Sequence, residues 1–232
     1  MLKERIVTST DINFIKTLIE LNHEKIVEIE YKDGIERIAS IVNTAKAKGV
    51  CVSKSNKKDL KISMTFYPKE IKNINFLEDL TFNKKNLFFL ILDRIQDPQN
   101  LGSIFRTSLG MNVDAIIVPN KNSCHLTKTV REVSKGATEV IPLIIVSNLT
   151  KVTKFLVQNN VNIFTCSSES KKNFYEANFV QSLALVFGSE NDGVSKALEE
   201  LASEKIKIPM NAKLESHVSY THLRAHETIN HL

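Results

Sequence analysis

Between residues 87 and 208 the chain alternates short apolar stretches with longer amphipathic ones. The apolar stretches are predicted strands, at residues 87–92, 115–118, 141–146, 161–165, 183–187 and 205–208. Stretches with helical spacing separate most of them and are predicted helices, at residues 101–111, 126–135, 149–158 and 194–201. Strands that are buried on both faces read as nearly continuous apolar runs, so this alternation predicts a parallel sheet with helices on both faces. We expect residues 87–216 to form one α/β domain of this kind.

Residues 1–80 predict a smaller α/β unit that precedes the larger domain. Residues 11–21 have the apolar spacing of a helix, and residues 25–31 alternate like a strand. A second predicted helix at residues 35–48 ends before a glycine. The polar residues 81–86 are the predicted linker between the two units.

A basic loop in the smaller unit carries Lys54, Lys57 and Lys58. Exposed lysines of this kind bind the phosphates of nucleic acids. A solvated surface loop has the same composition, so the loop becomes a candidate RNA contact only if the neighbouring domain acts on nucleic acid.

Length and composition limit the class of protein. The chain has 232 residues, of which 42% are hydrophobic and 25% charged, as in ordinary globular proteins. Its net charge of +5 is compatible with a polyanionic partner but is weak support by itself. No stretch approaches the ~18 apolar residues of a membrane span. Three widely spaced cysteines argue against a disulfide framework or a zinc site, so we expect a soluble cytoplasmic protein without a bound metal.

Three segments combine the end of an apolar strand with a loop rich in Gly, Asn, Ser and carboxylates. They span residues 92–106, 185–195 and 206–216. Ligands of parallel sheets bind beyond the carboxyl ends of the strands, so these loops are the candidate site. The second segment is neither a GxGxxG fingerprint nor a phosphate-binding loop with Gly-Lys-Ser/Thr. A domain that binds another nucleotide is therefore disfavoured.

Together the three segments resemble the signature motifs of the SpoU (TrmH-like) RNA ribose 2′-O-methyltransferases of the SPOUT class. The resemblance implies a Rossmann-like parallel sheet with a C-terminal trefoil knot, S-adenosylmethionine as cofactor, and a homodimer. It implies methyl transfer to a ribose 2′-hydroxyl of RNA, with large-subunit (23S) ribosomal RNA favoured over transfer RNA. The smaller unit resembles the L30e-like RNA-binding domain often fused to this catalytic domain. A non-catalytic RNA-binding protein is the alternative from another class.

The resemblance also assigns roles to residues. The residue matching the family's main catalytic arginine is Arg106, and Asn100, Glu190 and Ser216 complete the implied catalytic set. Asn100 also lies where its side chain could cap the predicted helix that carries Arg106. The residues implied to bind the cofactor are Phe187, Gly188, Ser189, Ile208, Met210 and His217. A guanidinium is a poor base, so Arg106 is better suited to hold the adjacent phosphate and the developing alkoxide. Its part in proton transfer stays open.

After Ser216 the sequence departs from the family pattern. Residues 217–232 contain four of the chain's six histidines and lack the apolar spacing of a closing helix. His222 and His226 could share one helix face, but no third metal ligand accompanies them. The segment resembles a translated sequencing adapter, and we interpret it as a non-native tail. The third motif, the knot and the dimer are then expected to be incomplete.

Overall fold

The structure, a computed structural model, describes residues 6–57, 59–179, 181–190 and 192–209. The predictions for Lys58, Met210, Ser216, His217 and the tail at residues 217–232 lie outside the described residues. No helix within these ranges is long and apolar enough to cross a membrane.

The smaller unit is a mixed sheet packed against two helices. Its elements are β1 (Val7–Ser9), α1 (Ile12–Leu21), β2 (Ile26–Tyr31), α2 (Glu36–Ala47), β3 (Val52–Lys54) and β4 (Ile62–Phe66). The strand order is β1-β4-β2-β3, in which β2 and β3 are parallel and the other pairs antiparallel. Asp11 caps the start of α1, and its carboxylate accepts the Phe14 N–H at 2.8 Å. In the strand order given above, β1 and β3 are the opposite edges of this sheet.

The larger unit is a parallel sheet between two layers of helices. Its elements are α3 (Ile74–Asn83), β5 (Phe88–Leu92), α4 (Pro98–Gly110), β6 (Ala115–Pro119), α5 (Lys128–Ser134), β7 (Leu143–Val146), α6 (Leu149–Gln158), β8 (Asn162–Cys166), β9 (Leu183–Phe187), α7 (Lys196–Glu199) and β10 (Glu204–Ile206). Within the described ranges the strand order is β10-β8-β9-β5-β6-β7, with every pair parallel. The predicted parallel α/β sheet is confirmed.

The two faces of this sheet bury separate apolar clusters, because successive strand residues point to opposite sides. In β5, Leu90 and Leu92 belong to the cluster that contains residues of α4 and α5. Phe89 and Ile91 belong to the cluster that contains residues of α3, α6 and α7. All four side chains are fully buried. Burial on both faces explains why the strands read as continuous apolar runs.

The chain leaves β5 and β9 in opposite directions, although these two strands are neighbours. From β5 it passes through α4 to β6, and from β9 through α7 to β10 at the other end of the sheet. Helices α4 and α7 lie on opposite faces. A crevice between two such strand ends is where open α/β sheets bind ligands.

Several predicted boundaries shift. The predicted linker at residues 81–86 is partly helical, because α3 continues to Asn83. Leu77 of this helix is fully buried in a cluster of the larger sheet, so α3 packs with the larger unit. Lys72, just before α3, exchanges backbone hydrogen bonds with β7, donating to Leu143 and accepting from Ile145. Helix α4 starts three residues earlier than predicted, where Pro98 occupies its first turn.

Residues 131–140, which we call the docking segment, hold the two units together. Glu139 is fully buried and pairs with Arg131 within the larger unit. Its carboxylate also accepts the Lys69 N–H at 2.6 Å, and its carbonyl accepts the Asn22 amide at 2.6 Å. Lys135 pairs with Asp11 at 2.6 Å. Both units therefore contribute to one polar interface.

Candidate functional site

A cavity of about 220 Å³ opens between the carboxyl ends of β5 and β9. It is lined by Arg94, Ile95, Gln96, Asp97, Asn100, Ser189, Glu190 and Asp192. These residues come from the first two sequence segments, so the structure brings those segments together as the parallel sheet predicts. The third segment follows β10, and it is described only as far as Pro209.

Asp93, the first residue after β5, joins the two loops. The residue is 5% exposed, and its N–H donates to the Phe187 carbonyl at 2.8 Å. The carboxylate accepts the Ser195 N–H at 2.8 Å and the Arg94 Nε–H at 3.3 Å. A buried carboxylate is stable only with such donors, so Asp93 fixes the loop after β9 against the loop after β5.

Arg94 reaches across the cavity to the second loop. Its guanidinium donates to the Asp192 carboxylate at 3.2 Å and to the Gly193 carbonyl at 3.3 Å. The Arg94 backbone has φ +62°, a left-handed conformation that is uncommon outside glycine. Sequence reasoning missed Arg94, and the only available signal was its place directly after an apolar strand that ends in a carboxylate.

The start of α4 differs from the sequence interpretation. Asn100 was the candidate helix cap, but Asp97 caps the helix, and its carboxylate accepts the Gln99 N–H at 3.0 Å. Asn100 lies inside the first turn and is 6% exposed. Because the helix begins earlier than expected, the amide of Asn100 lines the cavity instead of closing the helix end.

Arg106 is not among the residues that line this cavity. It lies on the exposed side of α4, about 9 Å along the helix axis from Asn100. Its guanidinium makes no ion pair with the described part of the chain. The structure therefore places Arg106 on the surface of α4, outside the residues that line the cavity.

The loop after β9 folds back on itself just after Gly188, between Ser189 and Gly193. Ser189 and Gly193 form an isolated bridge, in which the Gly193 N–H donates to the Ser189 carbonyl at 3.0 Å. A Cβ atom at Gly188 would lie 1.9 Å from the Gly193 carbonyl carbon. Only glycine fits such an approach. The turn sets the exposed carboxylates of Glu190 and Asp192 at the rim of the cavity.

The described residues that are expected to hold S-adenosylmethionine lie at the ends of β9 and β10. Phe187 and Ile208 are buried in the same apolar cluster, and Gly188 and Ser189 follow directly on Phe187. Of these residues, Ser189 alone also lines the cavity between β5 and β9. The exposed carboxylates at the rim of that cavity suit a cation such as a sulfonium. The chemistry of this set fits the cofactor. The cavity is smaller than the ~300–1,000 Å³ of most ligand pockets, so the described residues form part of such a site.

Two cysteines near this edge are poor nucleophiles. Burial raises the pKa of Cys166, at the end of β8, to about 12. Burial, and secondly the charge of Asp97, also raise the pKa of Cys124. Since the thiolate is the reactive form, the structure argues against covalent catalysis by either residue. Within the described ranges, no cluster of three or more His, Cys, Asp and Glu residues could hold a metal ion.

The candidate RNA-binding lysines lie on β3 and just after it, at the edge of the smaller sheet that is opposite β1. Lys54 pairs with Asp33 at 2.6 Å, and Lys57 pairs with Glu30 at 3.0 Å. Both lysine side chains remain about two-thirds exposed, at 66% and 69%. Their assignment to RNA stays a prediction, and an RNA phosphate would have to compete with these carboxylates.

Comparison with known proteins identifies the family. The model of the SpoU rRNA methylase family matches residues 87–217, more than half of the chain. The chain belongs to the SpoU rRNA methylase family. The match begins one residue before β5 and includes both loops of the cavity.

Relatives of this SpoU family member cover both units. The 23S rRNA (guanosine-2′-O-)-methyltransferase RlmB of Haemophilus influenzae is 31% identical over 219 residues, covering 88% of this chain and 89% of that protein. The RlmB of Escherichia coli is 30% identical over 217 residues, with 88% and 89% covered. The crystal structure of the SpoU methyltransferase AviRb from Streptomyces viridochromogenes with AdoMet has TM-score 0.71 at 15% identity, covering 97% of this chain and 90% of that one. The predicted family is confirmed, and the structural likeness confirms the α/β fold with its parallel sheet.

Proposed function

We propose that this protein transfers the methyl group of S-adenosylmethionine to the ribose 2′-hydroxyl of a guanosine in 23S ribosomal RNA. The observation that carries the proposal is the identity of about 30% with proteins named for that reaction, over 88% of this chain. A match of this extent cannot be confined to the larger unit. The polar cavity between β5 and β9 supports the proposal, since it lies where such a sheet binds ligands.

The backbone from Phe187 to Ser189 and the apolar side chain of Ile208 would hold the cofactor at the strand ends. When bound, S-adenosylmethionine supplies an electrophilic methyl group. Met210, Ser216 and His217 belong to the same assignment and lie outside the described residues. Asn100 and Glu190 would orient the target ribose, because both line the cavity. Holding the 2′-oxygen in line with the methyl carbon lowers the barrier by removing the entropy of alignment.

Arg106 would act from outside the cavity. Its guanidinium stays charged at any physiological pH, so it holds an anion rather than accepting a proton. The anion proposed here is the phosphate next to the target ribose, with the developing alkoxide as a second partner. The exposed position of Arg106 on α4 supports this role.

Finer features of the family complete the proposal. The C-terminal segment would form a trefoil knot, two copies would form a homodimer, and residues 1–80 would be an L30e-like RNA-binding unit. The protein would act in the cytoplasm. These statements rest on the sequence motifs and on the relatives, whose similarity extends into the smaller unit.

Methyl incorporation tests the proposal directly. The purified chain is incubated with S-adenosylmethionine carrying a tritiated methyl group and either unmodified 23S rRNA or unmodified transfer RNA. We expect incorporation into 23S rRNA, and nuclease digestion with mass spectrometry should locate it on the ribose of a guanosine. Incorporation into transfer RNA alone would support the transfer-RNA alternative. RNA binding without incorporation would support the non-catalytic one.

A further inference from the structure

A second and larger cavity lies between the two units. This interdomain cleft has a volume of about 480 Å³ and is lined by Thr8, Phe14 and Phe66 of the smaller unit and Leu126, Lys128 and Arg131 of the larger. Thr8 belongs to β1, the edge strand opposite the basic loop. The cleft is therefore separate from Lys54 and Lys57.

The interdomain cleft lies close to the candidate site. The Cys124 N–H, in the loop after β6, donates to the Ile95 carbonyl at 2.7 Å, and Ile95 lines the cavity between β5 and β9. Leu126 follows Cys124 by two residues, which places the two Cα atoms at most ~7 Å apart. The cleft thus starts near the site at the same edge of the larger sheet, within the span of a short unpaired stretch of RNA.

The walls of the interdomain cleft combine apolar and charged groups. The apolar floor that a ligand could reach is formed by Val7, Pro68 and Leu126, which are partly exposed, while Thr8 and Lys128 are exposed at the mouth. The Lys128 side chain is 87% exposed and lies 3.8 Å from Glu132, a distance at which an exposed pair contributes little. Arg131 is fixed by its pair with the buried Glu139.

This arrangement suits one nucleotide. An apolar floor accepts a base, and the carboxylate of Glu132 at the same wall can accept a hydrogen bond from a base amino or imino group. The mobile ammonium of Lys128 at the mouth suits the phosphate that stays in solvent. Proteins read RNA sequence mainly through unpaired bases of this kind.

We propose that the interdomain cleft binds an unpaired nucleotide of the RNA substrate, close in sequence to the methylated ribose, with its base inside and its phosphate at Lys128. The proposal rests on the proposed function, because it takes the substrate to be RNA. It adds a recognition site that only the two units together form.

Two variants test the cleft on the full chain. Thr8→Trp places an indole at the mouth, and Thr44→Trp, on the exposed side of α2, is the matched control. With 23S rRNA as substrate, we expect Thr8→Trp to raise the KM for RNA at least tenfold and to leave the affinity for S-adenosylmethionine unchanged. Thr44→Trp should match the wild type in both.

Lys128→Ala gives a second readout that does not depend on filling the cleft. Loss of one phosphate contact should reduce the slope of log K against log salt for RNA binding by about 1. Lys151→Ala removes an exposed lysine from α6, on the other face of the sheet, and should leave the slope unchanged.

The outcomes separate this proposal from the proposed function. A wild type that methylates no RNA overturns the proposed function. The cleft proposal alone is overturned if the wild type methylates RNA, the KM for RNA is the same in Thr8→Trp and Thr44→Trp, and the salt slope is the same in Lys128→Ala and Lys151→Ala. Should Thr8→Trp fail to fold, Lys128→Ala decides, because its exposed side chain has little effect on folding.

Discussion

The buried carboxylate of Asp93 accepts the backbone N–H of Ser195 at 2.8 Å, across 102 positions of the chain. The same carboxylate orients Arg94, which then reaches Asp192 on the opposite rim. One side chain therefore sets the distance between the two loops of the candidate site. The geometry of that site depends on a residue that does not line it.

Asp93→Ala should destabilise the protein and impair the site. The change leaves the Ser195 N–H without its acceptor, a loss of about 1–3 kcal/mol for a buried group. Urea unfolding should show the lower free energy of unfolding. Asp79→Ala, which removes an exposed carboxylate of α3, should stay within about 0.5 kcal/mol of the wild type. Equal stability of the two variants would contradict the role given to Asp93.

Gly188→Ala should abolish methyl transfer. Its Cβ would overlap the backbone of Gly193, and backbone cannot move aside as a flexible side chain does. We expect loss of S-adenosylmethionine binding in a calorimetric titration, together with a lower melting temperature. In Gly110→Ala the new Cβ meets nothing within 4 Å at the end of α4, so this variant should bind normally and be slightly more stable.

Arg106→Ala should lower the methylation rate by about 100-fold or more, the usual effect of removing a group that stabilises developing charge. Because the side chain is exposed, the melting temperature and the affinity for S-adenosylmethionine should not change. Arg37→Ala, at an exposed position of α2, is the matched control. Undiminished methylation by Arg106→Ala would remove this residue from the mechanism.

Stability should depend on the ionisation of Lys69 at the junction of the two units. Burial lowers its pKa to about 8, and its ammonium donates to the Val140 carbonyl. Between pH 8 and the ordinary lysine value of 10.5, the unfolded chain binds a proton that the folded chain lacks. The unfolding free energy should therefore rise with pH across this window. When urea unfolding is measured at several pH values, Lys69→Met should lack this rise. Identical pH profiles of the wild type and Lys69→Met would contradict the role given to Lys69.

The order of strands and helices could be predicted because burial of both sheet faces leaves a direct trace in the sequence. The three loops could be located for the same reason, since polar residues follow each apolar run. Pairings such as Asp93 with Ser195 leave no such trace, because a backbone N–H is the same in every residue type except proline. The left-handed backbone conformation of Arg94 could not be predicted either, since glycine or asparagine is the sequence signal for that conformation.

Two local errors have a common cause. Asn100 was taken for the cap of α4, although Asp97 followed by Pro98 is the stronger start signal. Residues 81–83 were assigned to a linker, although α3 ends there against the larger sheet. In both cases a polar residue was taken to mark a boundary, and the buried neighbours Leu77 and Leu101 show where the helix had to continue.

The docking segment has a consequence for how such a protein can be changed. On one side, Asn22 and Lys69 donate hydrogen bonds to it. On the other side, its Val133 packs so closely against α4 that a Cβ atom added at Gly102 would lie 2.6 Å from the Val133 Cβ. The smaller unit and the helix that carries Arg106 thus pack on opposite sides of the docking segment. A chimaera that exchanges the smaller unit for a relative's would also have to exchange residues 131–140. Otherwise the new unit would lose its hydrogen bonds and ion pairs to the larger unit.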